Sequence, residues 1–96
     1  MPAAYVVAYV DVTDPQQYEQ YKVLSSRAMQ EHGAEVLVRG GKVVPLEGEW
    51  QPTRVVMLKF GSLEAAQAFY DSETYGAARK ARESAARMNM IVVEGV

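Results

Sequence analysis

Two segments of this chain are apolar on both of their faces, and that double demand for cover limits what it can fold into. Residues 4–12 read Ala-Tyr-Val-Val-Ala-Tyr-Val-Asp-Val, and residues 54–60 read Arg-Val-Val-Met-Leu-Lys-Phe. Valine, tyrosine and phenylalanine suit the pleated surface of a strand, and neither run contains glycine or proline. Successive strand side chains point to opposite faces. Tyr5, Val7 and Tyr9 therefore share one face, while Val6, Ala8, Val10 and Val12 share the other. A sheet with one wet face alternates apolar with polar residues, and these strands do not.

The intervening segments supply helices. Asp14-Pro15 is a helix start: the carboxylate accepts from free backbone N–H groups, and proline needs no donor at the first helical position. Gln17, three residues past the cap, fits a capping box. Tyr18, Tyr21, Leu24, Ala28 and His32 repeat at helical spacing, and Gly33 suits a left-handed stop. Residues 35–39 read as a second strand, with Val36 and Val38 on one side and Glu35, Leu37 and Arg39 on the other. Ser62 caps a second helix with Ala65, Ala66, Phe69 and Tyr70 on its inner face. Ser72 caps a third, expected to run to about Arg87, with a stripe of Tyr75, Ala78, Ala81, Arg82 and Ala85. Residues 90–93 form the last strand.

The stretch 39–54 joins the two halves. It holds three of the seven glycines, two of the four prolines and the only tryptophan. Gly40-Gly41 marks a bulge or sharp bend, 42–46 a short edge strand limited by Pro45, and 47–53 a loop. The order is strand, helix, strand, strand, helix pair, strand. Right-handed crossovers then put every helix on one face of a four-stranded antiparallel sheet, the ferredoxin-like βαββαβ arrangement of the α+β class. Helices cover one face only. The other needs a second copy, so the sheet faces are expected to pair in a homodimer.

Ninety-six residues form one domain, 1–96, with a thin core. Net charge is −2 with acids and bases interspersed, so the basic footprint of a nucleic-acid or anionic-membrane partner is missing. The absence of cysteine excludes disulfides, zinc-thiolate sites and thiol catalysis. Neither a secretion signal nor a membrane span is expected, and a cytoplasmic location is the default expectation.

Chemistry-bearing residues are few. His32 is the sole histidine, a general acid or base if a substrate reaches it and otherwise a cation complementing a helix C-terminus. Arg39 and Arg54 bracket the central stretch on neighbouring strands. Together they clamp a carboxylate, or else pair with Glu47 and tie down the loop. Glu47 is the other proton-moving candidate. Trp50 is a lid over an apolar ligand, or packing at a barrel end or dimer interface. Tyr5, Tyr9, Tyr75 and Arg82 line a cavity between sheet and helices, or fill the core. No metal is expected: Asp11, Asp14 and Glu47 lack ligand spacing, and His32 lacks an axial-haem motif. Phosphate-loop and dinucleotide fingerprints are absent, and no cofactor is implied.

Tyr18 and Tyr21, Arg39-Gly40-Gly41, Glu47-Gly48, Trp50, Pro52, Arg54, Phe60, Ser62, Phe69-Tyr70, Ser72, Tyr75, Arg82 and Glu94-Gly95 together resemble the DUF1330 family of the dimeric α+β barrel superfamily. The resemblance spans almost the whole chain. It implies a ferredoxin-like subunit whose sheet pairs with a second copy to form a barrel. The wider superfamily includes antibiotic-biosynthesis monooxygenases, chlorite dismutase-like haem proteins, muconolactone isomerase-like enzymes and EthD-like proteins, but a shared fold does not carry function across. The expected function is binding of a small organic acid or aromatic metabolite near the 39–54 stretch. His32 or Glu47 would move a proton, and Arg39, Arg54 and Trp50 would bind substrate, in a cofactor-independent monooxygenase- or isomerase-like manner. The alternative is a non-catalytic structural or ligand-sensing dimer.

Overall fold

The computed structural model describes residues 2–49 and 53–96. The elements run β1 (Ala4–Val12), α1 (Pro15–Glu31), β2 (Glu35–Arg39), β3 (Arg54–Phe60), α2 (Leu63–Asp71), α3 (Glu73–Ala81) and β4 (Ala86–Glu94). The four strands form one antiparallel sheet in the order β2-β3-β1-β4, the ferredoxin-like arrangement.

β1 sits inside the sheet, bonded to β3 and β4 over nearly its full length. Its Ala4, Val6, Ala8 and Val10 are buried beneath the helices with Leu58 and Phe60 of β3. Tyr18, Tyr21, Ala28 and Met29 of α1, Ala66 and Phe69 of α2, and Tyr75 and Ala78 of α3 close that core from above. The opposite face carries Val7, Met57, Ile91 and Val93 with no helix over it; Ile91 is 58% and Val93 49% exposed.

Helix ends follow local chemistry. The Asp14 side chain accepts from the Gln17 N–H at 3.1 Å. No reciprocal capping box forms, because the Gln17 amide donates instead to the Ala81 and Glu83 carbonyls at 3.1 and 2.7 Å. Gly33, at φ 66°, ends α1 as expected, with Ala34 N–H bonded to the Met29 carbonyl at 2.9 Å. Ser72 works in both directions: its hydroxyl donates to the Phe69 carbonyl and accepts from the Tyr75 N–H.

Three local expectations are corrected. α3 stops at Ala81 rather than near Arg87, and β4 begins at Ala86 rather than at 90. The turn is fixed by Ser84 at φ 70° and by the Ala85 carbonyl, which accepts from both Thr13 and Asp14. Alanine-rich 85–88 suits a helix by propensity, but Ala86, Met88 and Met90 alternate with Arg87 and Asn89, which is strand spacing. In β2 the register shifts between Val36 and Val38, so Leu37 is bulged. Val38 then stands opposite Met57 on the open face, and Arg39 opposite Val56 on the helix face. Residues 42–46 form no strand in the isolated chain, and Val44 and Leu46 are 64% and 95% exposed.

Because one hydroxyl caps two helices, Ser72→Ala is expected to lower unfolding free energy by about 1–2 kcal/mol. Urea denaturation checks this; an unchanged midpoint would mean that water replaces both bonds.

Candidate functional site

Chemistry concentrates where α1 and α3 cross above the β1–β3 end of the sheet. Tyr18 and Tyr21 lie one helical turn apart on the inner face of α1, with ring centroids 5.1 Å apart. Tyr75, fully buried at the start of α3, meets Tyr21 edge to face. The Tyr21 and Tyr75 hydroxyls are 2.7 Å apart and share one hydrogen bond. Two phenols facing each other in an apolar interior leave a second donor and lone pairs to be met by something else.

Two guanidiniums flank the phenols. Arg54, first residue of β3, lies 5.9 Å from the Tyr18 ring centroid, and Arg82, at the end of α3, lies 5.6 Å from that of Tyr21. The Nε of each is buried and makes no hydrogen bond among the described residues. Neither has a carboxylate within ion-pair distance there; the one ion pair among the described residues is Lys22–Glu19. A buried donor left unmade costs about 1–3 kcal/mol, more for a charged group, so this arrangement favours an added acceptor. Gly40, at φ 73°, makes room for Arg54: a Cβ there would overlap the guanidinium.

Burial pushes the phenols of Tyr18, Tyr21 and Tyr75 above the ordinary value. For Tyr21 the neighbouring Tyr75 adds to the rise; for Tyr18, Arg54 partly opposes it, and for Tyr75, the Tyr21 hydrogen bond and Arg82 do. All three are neutral hydrogen-bonding groups at physiological pH.

Beside the cluster a groove of about 550 Å³ runs between α2 and β4, reaching Tyr70, Asp71, Arg82, Met88 and Met90. A small cavity of about 10 Å³ lies against Tyr21 and Tyr75. Phe69, Met88 and Met90 line both spaces and so form the wall between groove and phenols.

The residues singled out from sequence are dispersed unevenly. Arg39 and Arg54 are both on the helix face of neighbouring strands, but Arg39 turns to α1, donating to Ser26 Oγ at 2.6 Å and the Lys22 carbonyl at 3.5 Å. Glu47 is exposed in the loop and pairs with neither arginine. His32 caps the far end of α1, its ring 6.2 Å from that of Phe69. Fourteen residues separate it from Tyr18, about 21 Å along the helix, so His32 and Arg54 do not meet. Trp50 lies outside the described residues. Tyr5 and Tyr9 belong to the other sheet face, while Tyr75 and Arg82 join the helix-face cluster. Tyr21 and Arg82 were visible as helix-face residues, but their pairing needed the α1–α3 crossing. Among the described residues no group of three potential metal ligands occurs, and no helix is long and apolar enough to cross a membrane.

This architecture defines a ferredoxin-like α+β protein with a tyrosine–arginine cluster between helices and sheet. The chain belongs to the DUF1330 family, a domain of unknown function, matched over residues 3–96. No curated protein matches it by sequence. A protein of unknown function from Rhodopseudomonas palustris superposes with TM-score 0.78 at 18% identity, over 99% of this chain and 83% of that one. SnoaB, a cofactor-independent oxygenase from Streptomyces nogalater, gives 0.67 at 8% identity over 100% and 95%. A dimeric ferredoxin-like protein of unknown function from Bacteroides fragilis gives 0.65 at 10% over 97% and 96%. At these identities the likeness is one of fold.

The phenol shifts carry a pH signature. A raised folded-state pKa means that the unfolded chain loses its phenolic protons first, near pH 10. Stability from these three groups is complete below that pH and falls as pH rises above it toward the higher folded values. Urea midpoints from neutral pH to about pH 11 are expected to drop, with proton release on unfolding. If all six tyrosines titrate together near pH 10 in the folded chain, the three are not buried as described.

Proposed function

We propose that this protein is a homodimer, paired through its open sheet faces, that binds a small organic acid with an aromatic or apolar body beside the Tyr21–Tyr75 pair. The carrying observation is the two guanidiniums, Arg54 and Arg82, with buried unbonded Nε atoms next to three neutral phenols. A forked cation beside hydroxyl donors matches a carboxylate. The groove, which Arg82 reaches, supplies an apolar bed of Phe69, Tyr70, Met88 and Met90, and its volume lies within the range of small-molecule sites; a ligand in it meets the phenols and Arg54 only when the Phe69–Met88–Met90 wall moves aside. The dimeric state described for the Bacteroides fragilis protein supports the pairing.

In the catalytic form of this reading, the neutral phenol pair donates to an oxygen that gains negative charge, and the arginines stabilise that charge. Proton abstraction next to a carbonyl, isomerase-like, or the enolate step of a cofactor-independent monooxygenase uses such a site. The oxygenase identity of SnoaB, a relative in fold, is compatible with the second. Glu47, on the loop that follows β2, is the candidate base, with Arg39 an outer cation. The exposure of Glu47 and the absence of His32 from the groove lining favour a second reading, a ligand-sensing dimer that binds without turnover.

A thermal-shift panel of aromatic and aliphatic carboxylates tests the binding. A ligand at 100 times its Kd stabilises by about 2.7 kcal/mol, so a clear rise in Tm is expected for members of the aromatic set. Arg82→Ala and Arg54→Ala are each expected to weaken that ligand by about 10–100-fold, the loss of one charged hydrogen bond. Unchanged affinity in both folded variants would remove the assignment. Loss of the acid on incubation with wild-type protein separates the catalytic form from the sensing one.

A further inference from the structure

A third buried Nε without a hydrogen bond among the described residues, beside those of Arg54 and Arg82, belongs to Arg79 in the last turn of α3. Arg79 does not line the groove. Its guanidinium lies 4.5 Å from the centre of the Tyr70 ring, and its Nη1 donates to the Tyr70 hydroxyl at 3.3 Å. Tyr70 is next to last in α2, and its ring stands 5.6 Å from that of Tyr75. A cation over an aromatic face contributes about 0.5–1 kcal/mol at an exposed site. Arg79 and Tyr75 together hold the Tyr70 ring in one place.

The direction of the Arg79 hydrogen bond decides what Tyr70 offers. A phenol oxygen carries one proton and two lone pairs, and a guanidinium has donors only. Arg79 therefore occupies a lone pair and leaves the proton unspent. Among the described residues no acceptor lies within hydrogen-bond distance of that proton. A hydroxyl that accepts from a charged donor is polarised and donates more strongly in turn. Tyr70 lines the groove and is 37% exposed, so a ligand there can take the bond.

Arg82 lines the same groove and supplies its positive charge. Arg79 and Arg82 are three residues apart at the end of α3 and share one side of it, one reaching Tyr70 and the other Tyr21. Because Tyr70 and Arg82 both border the groove itself, a ligand meets them with the Phe69–Met88–Met90 wall closed. Asp71 follows Tyr70 in the lining and has no cation within ion-pair distance among the described residues. A second carboxylate on the ligand would meet that like charge at a cost in affinity. The oxygen suited to Tyr70 is therefore an uncharged one.

We infer that Tyr70 is a ligand-binding residue whose hydroxyl donates a hydrogen bond to a carbonyl oxygen, that Arg79 is its positioning residue, and that the ligand is an oxo acid. The carboxylate lies on Arg82, the ketone oxygen on Tyr70 and the apolar body on Met88 and Met90. This deepens the acid-binding reading above and rests on it.

Matched acids test the assignment. Aryl alkanoic acids without a ketone, with a ketone at successive positions along the chain, and with a second carboxylate in its place are titrated calorimetrically against wild-type protein, Tyr70→Phe, Arg79→Ala and Arg79→Lys. Wild type is expected to bind the best oxo acid about 3–10-fold tighter than the same acid without the ketone, the gain of one hydrogen bond. The diacid is expected to bind more weakly than the oxo acid. Tyr70→Phe keeps the ring and its stack, and is expected to bring the oxo acid down to the affinity of the plain acid. Arg79→Ala narrows the gap, and Arg79→Lys, which can still donate to the hydroxyl, restores part of it. In protein labelled with carbon-13 at tyrosine Cζ, the signal missing from Tyr70→Phe is that of Tyr70; it is expected to move with the oxo acid and hold still with the plain one. A gap that survives in Tyr70→Phe, or oxo acids no tighter than plain ones, overturns this inference and leaves the Arg82 acid site standing. An equal gap in Arg79→Ala removes the positioning role. Wild-type protein that binds none of the acids overturns both readings.

Discussion

The hydrogen-bonded ladder that places β1 between β3 and β4 is the constraint on which the rest depends. A strand bonded on both sides has no freedom to choose its register without moving its neighbours. Its alternation sends Ala4, Val6, Ala8 and Val10 under the helices and Val7, with Tyr5 and Tyr9, to the opposite face. Small residues dominate the helix side, which lets Tyr18, Tyr21, Phe69 and Tyr75 fill the layer above. The aromatic cluster and the open apolar face are thus two consequences of one strand.

The two guanidiniums of this cluster enter where elements end. Arg54 opens β3, Arg82 closes α3, and Tyr75 follows the Ser72 cap. Ends of elements leave side chains less hemmed in, and these converge here because α1 and α3 pack against each other, bringing Tyr21 onto Tyr75. Gln17 and Thr13 fasten that crossing, bonding from the start of α1 to the turn after α3. The position of Arg82 beside Tyr21 therefore depends on a turn that packs against the beginning of the chain, 64 to 71 residues away in sequence.

Much of this was legible in the residues. The Asp14, Ser62 and Ser72 caps, the Gly33 stop and the two-sided strands have local signals, and the structure places each where those signals point. Two boundaries were not legible. Alanine-rich 85–88 has helical propensity, and the left-handed Ser84 in the turn after α3 is held by tertiary bonds, from the Thr13 hydroxyl to the Ser84 carbonyl and from the Thr13 and Asp14 N–H groups to the Ala85 carbonyl, rather than by its own preference. The Leu37 bulge, which turns Arg39 toward Ser26, has no distinctive residue to announce it. The candidate site was half legible: Arg54 drew notice through its place in the central stretch, while its true neighbours, Tyr18, Tyr21 and Arg82, are separated from it in sequence. His32 drew notice only as the sole histidine, and chain position cannot reveal that α1 carries it to the other end.

The account's central claim is that a second copy covers the open sheet face, where Ile91 and Val93 stay half exposed. Sedimentation equilibrium of the wild-type chain and of Ile91→Glu tests it most directly. The account predicts a wild-type mass of twice 10.6 kDa, and a folded Ile91→Glu variant at the mass of one chain, because a carboxylate in a closed apolar interface is costly. A wild-type mass of one chain at high concentration, or an Ile91→Glu dimer as tight as wild type, would contradict it.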